Sequence, residues 1–297
     1  MKPAVKKQND LIFDPVCGMD VTEFSGRTTI SHKGETFYFC GEGCLDRFKR
    51  NPEKFQGEPL IKLSKVWKIF KMGETETQVL RGVDLHIWER DFISIIGASG
   101  SGKSTLLNMI GLLDKPTSGR IFLRGKDITL ISDEERAGFR TKIFGFVFQQ
   151  YNLIPWLTAY ENVTLPLIFS GGNIDAEKLE AKFEEIGIKE RMTHRPTQLS
   201  GGEQQRLAFL RALVNNPQVV LGDEPTGNLD SATGNKLLEL LINLNRVGKK
   251  TLIIVTHDAD IAEKADEIIT IKDGQIVPDH RIHKRIYTEH EYHEHHL

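Results

Sequence analysis

Three stretches of this chain combine residue types and spacing that suit phosphate chemistry. The first is GASGSGKST, formed by Gly97, Ala98, Ser99, Gly100, Ser101, Gly102, Lys103, Ser104 and Thr105, which matches the pattern G-x-x-x-x-G-K-[ST] from Gly97 to Ser104. Glycines at 100 and 102 let the backbone curl so that its N–H groups point at phosphate oxygens, and a helix starting near Lys103 adds the positive end of its dipole. Lys103 then reaches the β and γ phosphates, and the Ser104 hydroxyl ligates Mg²⁺. The second stretch is VVLGDEP, where the apolar run Val219 to Leu221 delivers Asp223 and Glu224 to a strand's carboxyl end, the place where ligands of open parallel sheets sit. Asp223 would hold Mg²⁺ through water, and Glu224 would polarise an attacking water as general base. The third is LSGGE. Ser200, Gly201 and Gly202 open an amphipathic helix with Leu207, Leu210, Leu213 and Val214 inward, and its unpaired N–H groups and hydroxyl suit a γ phosphate.

A different chemistry is suggested at the N-terminus. All three cysteines, Cys17, Cys40 and Cys44, lie in one short segment, with 22 and then three residues between them. The Cys-x-x-x-Cys pair predicts two thiols on one face of a helical turn, and soft thiolates at that spacing suit Cu(I) or Zn²⁺. His32 and Asp14 are candidates for a fourth ligand, though a surface histidine and a turn-starting Asp-Pro are the plainer accounts of the two. The alternative is that the thiols pack as small hydrophobes beside Phe37, Phe39 and Phe48.

These groups need elements to hold them. Residues 1–10 are polar and expected to be mobile, and residues 11–56 form a first small unit. NPEKFQGEPL reads as a helix stop followed by a linker, because Pro and Gly do not continue a helix, so the boundary falls near Gly57. The β-rich runs LIKLSKVWKIF, QVLRGVDLHIW and DFISIIG follow, then alternating helices and strands to about residue 277, the pattern of an α/β domain with a parallel sheet. Residues 278–297 read as a solvated tail holding His280, His283, His290, His293, His295 and His296, which would also offer imidazoles to a metal.

Composition narrows the class. With 39% hydrophobic and 27% charged residues and a formal charge of -2, the chain lacks the basic excess of a nucleic-acid binder. Its apolar runs fall short of the roughly 18 residues that cross a bilayer, and no signal-peptide core follows the first lysines. Sparse, odd-numbered cysteines then fit a cytosolic setting.

The ordered set GASGSGKST, LSGGE and VVLGDEP resembles the ATPase subunit of an ABC transporter, with Gln149 of FVFQQYNLIP as its Q-loop, Asp230 of GNLDSATG as its D-loop and His257 of LIIVTHD as its switch histidine. The resemblance covers about residues 60 to 277. It implies a P-loop NTPase of ABC type, with a parallel-sheet core, an antiparallel β subdomain and a helical signature subdomain. It also implies ATP and Mg²⁺ as ligands, with Gln149 joining Ser104 and Asp223 around the ion. Catalysis would fall to Glu224, His257 and Gln149. A head-to-tail homodimer would close Lys103 of one copy and Ser200 to Gly202 of the other on the same ATP. Phe70 holds the place of an aromatic ring stacked on adenine, a reading that stands level with that of a core phenylalanine. The segments FGFVFQQYNLIPWLTAYENVTLPLIF and LLDKPTSGRIFLRGKDI resemble the LolD/MacB branch, which implies a separately encoded membrane subunit, export or mechanical work, and a place at the inner face of the cell membrane. Tyr151 and Trp156 lie where such a subunit docks, and equally suit a core. The segment from DPVCGM to NPEKF resembles the YHS family of heavy-metal transport proteins, implying an α+β domain that binds copper or zinc. Two alternatives remain at this stage, a metal-responsive regulatory ATPase without transport and a soluble ABC ATPase.

Overall fold

The computed structural model describes residues 11–73, 75–227 and 231–277. Asp230, the tail histidines and residues 1–10 lie outside the described residues.

The N-terminal unit starts with a bridge between Phe13 and Asp20 that closes the Cys17 loop. Strands β1 (Thr28–His32) and β2 (Glu35–Phe39) form an antiparallel hairpin. Its turn is Lys33-Gly34, both at positive φ, as a tight two-residue turn requires. Helix α1 (Glu42–Arg50) follows, and Asn51-Pro52 ends it because proline cannot donate the next backbone hydrogen bond. The helix stop expected here is followed by a 3-10 turn, Pro52–Gln56, that buries Phe55 and ends at Gly57. The core of this unit collects Val16, Val21, Phe39, Leu45, Phe48, Phe55 and the three cysteines, and it takes in Trp88 from the following domain.

Long antiparallel strands β3 (Ile61–Met72) and β4 (Thr75–Ile87) come next, then β5 (Phe92–Ile96) and α2 (Lys103–Ile110). β6 (Ser118–Leu123) and β7 (Lys126–Asp127) complete a four-stranded sheet of order β4-β3-β6-β7. After α3 (Asp133–Ile143) and β8 (Phe144–Phe148) come α4 (Ala159–Ser170), α5 (Ala176–Glu185) and α6 (Gly201–Leu213). The chain then returns to the sheet as β9 (Val219–Asp223), α7 (Ser231–Arg246), β10 (Thr251–Val255), α8 (Ala259–Ala262), β11 (Glu267–Lys272) and β12 (Gln275–Ile276).

The main sheet has the order β12-β11-β5-β10-β9-β8, parallel except for β12. Its central strand β10, TLIIV, is buried at every position, the continuous apolar run of a parallel strand covered on both faces. One core joins this sheet, α2 and the antiparallel sheet. A separate core, built on Val163, Phe183, Leu207 and Leu210, holds α4, α5 and α6 together. In α6, Leu207 and Leu210 are buried as expected, together with Ala208 and Phe209, while Leu213 and Val214 are partly buried. Among the described residues no helix is long and apolar enough to cross a membrane.

Candidate functional site

β5 runs straight into the phosphate loop and α2 leaves it, so the loop sits at the carboxyl end of a buried strand. Close packing explains its first glycine, since a Cβ on Gly97 would lie 2.3 Å from the Ile271 carbonyl oxygen. Gly102, at φ 106°, caps α2 in the left-handed region, and a Cβ there would meet the Val79 carbonyl at 2.8 Å. Lys103 curls back over the loop, its ammonium donating to the carbonyls of Gly97 at 3.0 Å and Ala98 at 2.9 Å. Ala98, Ser99, Gly100 and Ser104 are exposed, Ser101 is buried, and Thr105 is half-buried.

Strand register brings the acidic residues to the same edge. Phe148 of β8, Asp223 of β9 and Val255 of β10 are direct neighbours, so Gln149, Glu224 and His257 follow from three adjacent strand ends. The Ser104 hydroxyl donates to Asp223 Oδ1 at 3.1 Å, which ties the loop's Mg²⁺-type ligand to the acid predicted to share it. Burial raises the Asp223 carboxyl above its ordinary value, with Ser104 opposing and Glu224 adding to the rise. Glu224 is held at φ 48° while its N–H donates to the Val255 carbonyl, and its Oε1 lies 2.9 Å from His257 Nδ1. Hydrogen bonding to Glu224, and then its charge, raise the imidazole above its usual value.

Ser200 is the N-cap of α6 in a reciprocal capping box with Glu203, the Ser200 hydroxyl accepting from Glu203 N–H at 3.3 Å and Ser200 N–H donating to the carboxylate at 2.8 Å. Arg191 foremost, then the Ser200 contacts, lower Glu203 to about 2. No hydrogen bond among the described residues joins Ser200, Gly201 or Gly202 to the phosphate loop. The structure therefore brings together the loop, Gln149, Asp223, Glu224 and His257, while the 200–202 helix end makes its capping bonds within its own first turn. Phe70 is 41% exposed on β3, outside the core clusters, with the Lys68 ammonium 4.8 Å from its ring centroid. Trp156 is exposed and Tyr151 half-buried.

A contact that the motifs do not announce is Arg211 of α6, which donates to the carbonyls of Tyr151 at 2.7 Å and Asn152 at 2.5 Å. Both acceptors have positive φ, so a cation braces the bend just after Gln149. The only hint is an arginine set within the otherwise apolar run LAFLRAL.

The cysteines converge as well. Ligand atoms of Asp14, Cys17, Cys40 and Cys44 all lie within 4.8 Å of one another and all four residues are buried. Cys40 Sγ is 3.7 Å from Cys17 Sγ and 3.6 Å from Cys44 Sγ, and all three are free thiols. Cys40 lies outside the helix, before the α1 cap residue Gly41, so the expected helical face is instead a strand-to-helix corner. Asp14 organises that corner: Oδ1 accepts from Val16 N at 2.8 Å and Cys17 N at 3.3 Å, and Oδ2 accepts from Cys40 N at 2.8 Å. Burial foremost, then the neighbouring Cys40, pushes its carboxyl up to about 7. Burial raises the Cys17 thiol, and hydrogen bonding to Cys17 and Cys40 raises Cys44. His32 lies outside this group and packs edge-on against Phe48 with centroids 5.9 Å apart. Three buried sulfurs this close together are a donor set for a soft cation, with the Asp14 carboxylate beside them.

A phosphate loop, a carboxylate on the neighbouring strand and a carboxylate–imidazole pair, all at one edge of a parallel sheet, define a P-loop nucleotide hydrolase. The chain belongs to the ABC transporter family as an ATP-binding protein and is an ATPase of that type: the ABC transporter family model matches residues 80–227. It is 47% identical over 219 residues to an uncharacterized ABC transporter ATP-binding protein of Thermotoga maritima, covering 73% of this chain and 93% of that one. The macrolide export ATP-binding/permease protein MacB of Chlorobaculum tepidum is 47% identical over 75% of this chain, which spans only 34% of that protein. Among solved structures, the dimeric ATP-binding cassette MJ0796 bound to ADP and Pi superposes with a TM-score of 0.71 at 45% identity, covering 76% of this chain and all of the other. The YHS domain model matches residues 12–58.

Proposed function

We propose that this chain is the motor of an exporter or mechanotransmission complex, hydrolysing ATP at the edge just described and driving a separately encoded membrane subunit. The observation that carries the reading is the meeting of Ser104 with Asp223 and of Glu224 with His257 beside one phosphate loop. In this assignment the loop residues 97–105 and Lys103 hold the phosphates, and Phe70 offers its exposed face to adenine. Ser104, Gln149 and Asp223 are the residues to hold Mg²⁺, which when bound neutralises phosphate charge. Glu224 takes the proton of the attacking water, and His257, hydrogen-bonded to it, keeps that carboxylate oriented and positions the γ phosphate.

Ser200 to Gly202, which make no described hydrogen bond to the loop of their own chain, are assigned to the nucleotide of a second copy, and Asp230 is assigned to ATP as the D-loop residue of the resemblance. The dimeric cassettes that resemble this chain support that arrangement. The permease names among its relatives support a membrane partner and a place at the cytoplasmic face. We assign residues 11–56 to the YHS-type unit and residues 57–277 to the ATPase. Cys17, Cys40 and Cys44 are assigned to Cu(I): the Asp14 oxygens already accept three backbone N–H bonds, leaving a three-thiolate set suited to a soft monovalent ion rather than to four-coordinate Zn²⁺.

Size-exclusion chromatography of Glu224→Gln with ATP tests the motor assignment. The reading expects a trapped dimer that the parent does not accumulate, and a variant that stays monomeric while turning over ATP at the parent rate contradicts it.

A further inference from the structure

The frame around the thiols is not closed within the N-terminal unit. The Cys17 carbonyl accepts from His86 N–H at 2.8 Å, and the preceding carbonyl, of Val16, accepts from the Trp88 indole N–H at 2.7 Å. Gly18 packs so tightly on this strand end that a Cβ would come within 2.5 Å of the His86 ring. The Cys17 loop is thus pinned by the end of β4. On the other side, Arg47 sits about one turn beyond Cys44 on α1, buried, and pairs with Asp91 at 3.0 Å and with Glu267. Lys54 joins Asp91 at 2.5 Å. Asp91 immediately precedes β5, and Glu267 opens β11. Two of the three thiols are therefore anchored, through one peptide or one helical turn, to strands of the ATPase sheet.

We infer that the thiol site is a composite of both domains, in which His86, Trp88, Asp91 and Glu267 are positioning residues for the ion, so that Cu(I) binding and the stability of the ATPase domain are linked. This rests on the reading of the cluster as a Cu(I) site. An ion that gathers three thiolates needs them held in one geometry, and outer contacts that hold ligands in place raise affinity by lowering the cost of ordering them. The linkage is reciprocal: whatever docking contributes to ion binding, the ion returns to the docked, folded state. A metal-binding head on a tether would show neither effect.

The test uses the full chain, anaerobic and reduced, with Cu(I) supplied against a chromogenic Cu(I) chelator. Parent, Trp88→Phe, Gly18→Ala and the triple variant Cys17→Ser, Cys40→Ser, Cys44→Ser are compared, each first shown to be folded by its unfolding midpoint without copper. Trp88→Phe removes one hydrogen bond from the Cys17 loop and should weaken Cu(I) binding roughly 3- to 10-fold. Gly18→Ala, which pushes the loop off β4, should weaken it further, and the triple variant should bind none. Hydrogen exchange of the β5 and β10 amides supplies the reciprocal reading, with Cu(I) slowing it in the parent and not in the triple variant. Parent-like Cu(I) affinity in both single variants, or strand exchange indifferent to bound Cu(I), overturns the composite site while leaving the metal assignment intact. A parent that binds no Cu(I) overturns the metal assignment itself, and the inference with it.

Discussion

Replacing Arg47 with methionine should destabilise the protein by an amount that its surroundings set. The Arg47 side chain is 8% exposed, and those of Asp91 and Glu267 are 1% exposed. Breaking a pair this deep costs about 3–5 kcal/mol, because a carboxylate loses its cation inside a medium that cannot hydrate it. Lys54 still reaches Asp91, so the cost belongs at the lower end, about 3 kcal/mol, or a fall of about 6–12 °C in Tm for a domain of this size. Lys33→Met supplies the contrast. Its partner Glu53 and Lys33 itself are 66% and 64% exposed, and water screens such a surface pair so that its loss should leave the midpoint close to the parent's. Adding Asp91→Asn and Glu267→Gln to Arg47→Met should recover part of the loss, since no charge then lies buried without its cation. Acid gives a second signature. Burial raises Asp91, but Arg47 and then Lys54 outweigh it and hold the carboxyl below its ordinary value. Its stabilisation is present above the unfolded value of about 4 and is lost as pH falls through the folded one. In Arg47→Met that acid-side loss should shrink. Thermal unfolding followed by circular dichroism measures both effects, and an Arg47→Met midpoint within 2 °C of the parent would refute the reasoning.

Three further outcomes follow from the ATP site. Ser200→Arg should impair phosphate release while leaving ATP binding to the separate monomer unchanged, as a filter-binding assay would show; equal loss of monomer binding would argue against a shared site. His257→Ala should lower turnover with little change in Tm, because the imidazole is 75% exposed and touches Glu224 without supporting the core. Gly97→Ala should destabilise the fold by about 1–3 kcal/mol, since its Cβ would lie 2.3 Å from a main-chain oxygen that belongs to β11; a denaturant midpoint equal to the parent's would remove the packing argument.

The ATP site could be read from the chain because each of its parts is a local pattern. A strand, a glycine loop and a helix start occupy GASGSGKST and its flanks, and the parallel register of β8, β9 and β10 then gathers Gln149, Glu224 and His257 without further instruction. The union of the two domains was hidden for the opposite reason. Arg47 meets Glu267 across 220 residues, and Asp91 looks like an ordinary turn residue between strands, so no spacing announces the cluster. Trp88 read as a strand residue, and only tertiary packing shows that its indole belongs to the core of the N-terminal unit. Asp14 and His32 are both candidate partners of the thiols in the sequence, and only Asp14 lies beside them. The turn DPVC explains its place, because an Asp two and three residues before the N–H groups of Val16 and Cys17 can accept from both.

The hydrolytic role of Glu224 is the centre of this account, and the rate of phosphate release at saturating Mg-ATP tests it most directly, with the parent and Glu224→Gln assayed side by side. Loss of a positioned general base should lower turnover by about 10²–10⁴-fold, while equilibrium ATP binding stays within about threefold of the parent because Lys103, Ser104 and Asp223 remain. Parent-like phosphate release from Glu224→Gln would contradict the assignment, whatever the variant's affinity for ATP.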